Sequence, residues 1–153
     1  MDRPNQARKT LRRDAGALIG QCPGAQSRLA ARRISQFLDR ELAPLGISSA
    51  QLALLAQVAA AEDDTLGALA RRSGLEQSTL SRNLRTLESA GLIEIATVES
   101  DLRRRAVWLT ETGARRLEAA IPLWRKAQHR IDRAIPAGLL QRLAEATAAL
   151  ATD

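Results

Sequence analysis

The side chains best suited to chemistry lie between residues 77 and 105. Gln77, Ser78, Thr79, Ser81, Arg82 and Arg85 fall in a stretch where Leu80, Leu84 and Leu87 recur at spacings of four and three. On a helix that spacing gathers the leucines on one face and turns Gln77, Ser78, Ser81, Arg82 and Arg85 to solvent, with Thr79 at the flank. Hydroxyls near a helix N-terminus, helped by the helix dipole, hold phosphates, and a guanidinium can pair with both acceptors of a guanine edge. The chemistry this face suits is recognition of double-stranded DNA through the major groove, with Arg85 placed for phosphate. Arg103, Arg104 and Arg105 follow at the expected tip of a hairpin, where a basic cluster suits phosphate or minor-groove contact.

Bond-making chemistry finds little support. The single cysteine, Cys22, excludes an intrachain disulfide and a multi-Cys zinc site, and the single histidine, His129, excludes a two-His metal motif. There is no Gly-rich phosphate loop and no Gly-x-Ser-x-Gly elbow. We therefore expect neither an enzyme nor a bound cofactor or metal. The acidic run Glu62-Asp63-Asp64 reads as a solvated loop rather than a cation site.

These side chains need elements to aim them. Leu29, Ile34, Phe37, Leu38 and Leu42 predict an amphipathic helix over about 24–42, ended by Pro44 and Gly46. Ser48 or Ser49 caps a mostly apolar, central helix to Ala61. Thr65 caps a short helix, Leu66 to Arg72, and Ser73-Gly74 turns into the helix that begins near Glu76 and stops at Gly91. Ile93, Ile95 and Thr97 alternate as a strand, Glu99-Ser100-Asp101 is turn chemistry, and Ala106–Leu109 returns as a second strand. Thr110 then caps a long helix. In it Leu117, Ile121, Trp124, Gln128, Ile131 and Ile135 form a heptad-like seam, and Pro122 predicts a kink. Pro136-Ala137-Gly138 precedes a last helix with Leu139, Leu140, Leu143 and Leu150. Short helix, turn, helix and hairpin in that order make a mainly α, winged helix-turn-helix fold with a two-stranded β wing.

Composition agrees with one globular domain. The chain has 153 residues, 45% apolar and 26% charged, and only three aromatic residues, so its core must be Leu, Ala, Ile and Val. No apolar run approaches the ~20 residues of a membrane span. Twin Arg12-Arg13 hints at export, but the apolar stretch after it is too short for a signal core, so a cytoplasmic location is expected. Residues 1 to about 20 show no periodicity and read as a mobile or partly helical basic arm.

Three motifs carry a family resemblance over about residues 25–150. Asp101-Leu102-Arg103 precedes Leu109-Thr110-Glu111-Thr112-Gly113 at fixed distance. Leu87-Glu88-Ser89-Ala90-Gly91-Leu92-Ile93 leaves the second helix of the motif, and Leu66-Gly67-Ala68-Leu69-Ala70 enters the first. With these the chain resembles the MarR family of transcriptional regulators. The resemblance implies a homodimer whose N- and C-terminal helices interlock, and the heptad seam independently asks for a partner. It implies a repressor on a pseudo-palindromic operator, with half-sites about one helical turn apart. Asp101 would orient Arg103 toward the minor groove. A small aromatic or phenolic effector would bind between the dimer helices and the winged domain, with Arg28, Arg32 and Trp124 as its candidate contacts. The organisation expected is a flexible basic arm over 1–20, a dimerisation helix and linking helix over 21–61, the winged DNA-binding domain over 62–113 and dimerisation helices over 114–153. Two alternatives stay open: an oxidant-sensing regulator acting through Cys22, with Arg28 folded back to favour its thiolate, and an architectural protein that binds DNA without sequence preference.

Overall fold

The computed structural model describes the backbone of residues 9–98 and 101–151 and the side chains of 11–97 and 105–150. The chain divides between Phe37 and Leu38 into two compact units. In the first, α1 (Lys9–Gln21) and α2 (Pro23–Leu42, whose last turn belongs to the second unit) follow each other across a break at Cys22. Pro23 opens α2, where a missing N–H costs nothing. The arm thus has a helix where we read no period: Leu11, Ala15 and Leu18 recur at spacings of four and three. Those few apolar residues among arginines and glycines were too sparse to register as a face.

The second unit builds the fold around α3 (Ser49–Ala59). Gly46, with φ 65°, reverses the chain after a 3-10 turn, a backbone state glycine adopts without steric cost. Ser48 and Gln51 then form a reciprocal capping box: Gln51 N donates to Ser48 Oγ (3.2 Å) and Ser48 N donates to Gln51 Oε1 (2.9 Å). Asp39 accepts from Ser49 N at 2.7 Å and ties the end of α2 to this start. Leu52, Leu54, Leu55 and Val58 of α3 are buried, while Ala53 and Ala56 remain exposed.

Around α3 lie α4 (Leu66–Ser73), α5 (Gln77–Ser89), the antiparallel pair β1 (Ile93–Val98) and β2 (Asp101–Leu109), and α6 (Glu111–Ala134); α7 (Leu139–Ala148) closes the chain. Leu69, Leu87, Val107, Leu42, Leu54 and Leu55 are the largest side chains that are fully buried. β2 is longer than the sequence suggested. Its regular register runs from Ile93↔Leu109 to Thr97↔Arg105, and then Val98 meets Asp101, so residues 102–104 form an irregularity within the strand. Arginines do not end a strand whose pairing is made by backbone bonds to β1. The acidic loop is likewise more ordered than expected. Asp64 O accepts from Val107 N (2.9 Å), Thr65 bridges to Ala106, and Asp63 Oδ1 accepts from Thr65 N (2.9 Å), so the loop borders the wing as a third edge.

Helix α6 starts at a node. Thr110 Oγ donates to Gly91 O (2.6 Å) and accepts from Gly113 N (2.9 Å), while Thr110 N donates to Leu92 O (3.2 Å). One side chain thus caps α6 and fastens it to the exit of α5. Thr110→Val is expected to lower stability by about 1–3 kcal/mol, since a cap and an acceptor both lose their partner. A urea midpoint equal to that of the parent protein would contradict this account of the node. Beyond the cap, α6 buries Gly113, Ala120 and Ala127, spaced seven apart. Pro122 neither ends nor divides α6, which runs unbroken from Glu111 to Ala134. The proline is exposed, so the carbonyl it leaves unpaired can meet water.

Candidate nucleic-acid interface

The two helices of the motif are set by their ends. Thr65 caps α4 by accepting from Ala68 N (3.2 Å). Gly74 takes a left-handed conformation (φ 60°) and redirects the chain into α5. Leu80, Leu84 and Leu87 then bury one face of α5, at 1–6% exposure. With that face fixed, Gln77, Ser78, Thr79, Ser81, Arg82 and Arg85 are all exposed on the remainder of the helix. Among the described residues, neither Arg82 nor Arg85 has a hydrogen-bond or ion-pair partner for its guanidinium. Thr86 Oγ donates back to Arg82 O (3.0 Å) and Asn83 Nδ2 to Thr79 O (3.1 Å), so these two side chains turn onto their own helix. Glu76 makes no side-chain bond at the start of α5, which leaves the N–H groups of the first turn open, as an anion-facing helix end requires.

The wing brings Arg105 to the surface opposite Thr97. Asp101, Arg103 and Arg104 belong to the backbone of β2, and their side chains lie outside the described residues. A separate cavity of about 600 Å³ opens between α3 and α6, lined by Leu38, Leu42, Leu52, Ala53, Ala56, Leu117, Ile121 and Trp124, with Ser49 and Arg125 as its polar members. Trp124 is one of the lining residues. Arg28 and Arg32 lie exposed on α2 in the N-terminal unit and are not in that lining. Arg125 and Ser49 were missed. The signal for Arg125 was its position four residues after Ile121, at the margin of the seam. Cys22 is half-buried at the α1–α2 break, and a methyl group on Gly24 would stand 3.3 Å from Arg28 Nη1 and 3.9 Å from Cys22 Sγ. Arg28 therefore folds back toward the first turn of α2.

The model of the MarR family matches residues 45–104. The chain is 32% identical to the transcriptional regulator MosR of M. tuberculosis, whose structure in complex with DNA it matches at a TM-score of 0.75, covering 86% of this chain and 96% of that one. This chain belongs to the MarR family. It is accordingly a DNA-binding transcriptional regulator with a winged helix fold, of a family of regulators rather than enzymes. A second MosR structure is matched at 31% identity and a TM-score of 0.72, over 87% of this chain and 96% of that one. A mutant MarR of E. coli, complexed with operator DNA, shares the fold at 23% identity and a TM-score of 0.74, over 87% and 96%. No curated protein matches the sequence. Among the described residues of this MarR-family chain, no single helix is long and apolar enough to cross a membrane.

Proposed function

We propose that the protein is a homodimeric repressor that acts in the cytoplasm, binds a pseudo-palindromic operator and is released by a small aromatic or phenolic molecule. The observation that carries the reading is the surface of α5, where six polar side chains are exposed while three leucines are buried. Gln77, Ser78, Thr79, Ser81 and Arg82 read or grip the major groove, Arg85 takes a phosphate, and Arg103, steered by Asp101, works the wing with Arg104. Selection of bound duplexes from a random pool tests it. Recovery of an inverted repeat is expected, and a pool that gains no sequence bias would sink the reading in favour of architectural binding.

The dimer is supported by apolar surface that one chain leaves open. Ile121 and Trp124 are 37% and 42% exposed, and Leu139, Leu140 and Leu143 of α7 are 41–49% exposed. An apolar set of this kind on terminal helices fits an isologous partner.

Effector release is supported by the cavity, whose apolar walls and few polar groups suit a small amphiphile. A benzoate-type acid is expected to weaken operator binding, and Arg125→Gln to raise the concentration needed about tenfold through loss of a charge-assisted contact. An unchanged concentration would remove Arg125 from the site. A second reading, release by oxidation of Cys22, draws on Arg28 folding back to Gly24, which the thiol also neighbours. If it holds, peroxide dissociates the parent protein from its operator and leaves the Cys22→Ser variant bound.

A further inference from the structure

The net charge of +6 belongs to the first 40 residues, which carry nine basic and three acidic side chains; residues 41–153 carry fourteen of each. The segment that reads DNA is itself acidic: residues 62–113 hold seven basic and nine acidic groups. A surface of net negative charge does not draw in a polyanion at long range, so the attraction that precedes specific reading must come from elsewhere in the chain. We infer that the N-terminal helical unit, α1 with the first part of α2, is a second and sequence-independent contact for the phosphates of duplex DNA.

The form of α1 suits that role. Positions 9 and 13, four apart in α1, fall on one side of the helix by their spacing and Arg12 adjoins them; the side chain of Lys9 lies outside the described residues. Leu11 and Leu18 take the opposite face. Gly16 and Gly20 continue the basic side, and a Cβ on either would meet nothing within 4 Å among the described residues. Arg12, Arg13, Arg28, Arg32 and Arg33 are all exposed. Among the described residues the one ion pair on this set is Arg13–Asp14 at 3.6 Å, fully in solvent and too weak to hold the guanidinium back. Nearly every cation is arginine, whose planar fork binds phosphate oxygens two at a time. A basic amphipathic helix also has the form of a segment that lies on an anionic membrane. Duplex DNA is favoured because the chain belongs to a family of DNA-binding regulators and its reading head lacks the charge.

The inference rests on the protein's being a DNA binder, and its test does not depend on α5. Full-length Lys9→Gln/Arg12→Gln/Arg13→Gln protein and its parent are titrated against a labelled random-sequence duplex of about 40 base pairs across a range of sodium chloride. The variant is expected to show a log–log salt slope shallower by about two to three units per bound protomer, and to bind the random duplex at least about tenfold more weakly at low salt. Its ratio of affinities for selected over random duplex stays at the parent value. An unchanged slope overturns the inference. So does a slope that holds while the variant, unlike its parent, loses binding to phosphatidylglycerol vesicles, which would assign the helix to a membrane. A parent protein that prefers no sequence, together with the slope change, would instead sink the reading of α5 and leave this inference standing.

Discussion

Gly113→Ala is expected to destabilise the protein by about 3 kcal/mol or more, and so to remove a large part of the ~5–15 kcal/mol by which a domain of this size is stable. A Cβ built at Gly113 would lie 1.8 Å from Leu92 O, 2.8 Å from its carbonyl carbon and 3.2 Å from its Cα. Those atoms are backbone and cannot swing aside like the end of a side chain. Nor is the segment free to retreat: Leu92 is 2% exposed, its N–H donates to Leu87 O (2.9 Å) and its carbonyl accepts from Thr110 N (3.2 Å). Alanine is the better helix former by ~1 kcal/mol, which acts in the opposite direction. The overlap outweighs it, because relief requires α6 to move off the exit of α5. Gly67→Ala is the control. Gly67 also lies in a helix, but a Cβ there would meet only Arg71 Nη1 at 3.7 Å, an ordinary contact. Urea unfolding followed by far-UV circular dichroism should show Gly67→Ala at or above the parent midpoint and Gly113→Ala far below it. Equal midpoints for the two variants would show that the α5–α6 junction yields easily, and would undo the argument.

Helix ends and the exposed polar surface of α5 were legible because local chemistry decides them. Ser48, Thr65 and Thr110 sit before apolar-periodic runs and do cap them, and Leu80, Leu84 and Leu87 are buried as their spacing requires. What stayed hidden was close approach between elements distant in sequence. The inner face of α6 is Gly113, Ala120 and Ala127, three small residues that a search for large apolar side chains passes over. Of the conspicuous seam beside them, Ile121 and Trp124 are exposed in the single chain, while Leu117, Gln128, Ile131 and Ile135 are partly buried. Small residues bury well because they let backbones approach, and that need arises only once the partner's position is known. The bond from Asp64 O to Val107 N was invisible for a similar reason: a backbone carbonyl 43 residues from its donor carries no compositional trace. The cavity followed the same rule. Trp124 advertised itself by its size, whereas Arg125 and Ser49 become neighbours only when α3 lies against α6.

Arg82→Ala is expected to lower affinity for the selected operator by about 10- to 200-fold, the equivalent of ~1–3 kcal/mol for one bidentate base contact. Its affinity for a random-sequence duplex should fall by far less, since only one positive charge per protomer is lost. The comparison has meaning because the variant should fold: Arg82 is exposed, is unpaired among the described residues, and sits mid-helix, where alanine is favoured. The open N-terminus of α5 and the hydroxyls of Ser78, Thr79 and Ser81 remain to anchor the helix on phosphates in the variant, so DNA binding persists while discrimination collapses. Arg103→Ala should behave differently if the wing only grips. Its affinity should drop on operator and random duplex alike, with the salt slope reduced by about one unit per protomer. Measured as a pair, the two substitutions separate a residue that reads from a residue that holds. If Arg82→Ala weakened both duplexes equally, Arg82 would be a phosphate contact, and the specificity of α5 would have to rest on Gln77, whose carboxamide can pair with both groups of an adenine edge, and on the hydroxyls, whose single hydrogen bonds discriminate less.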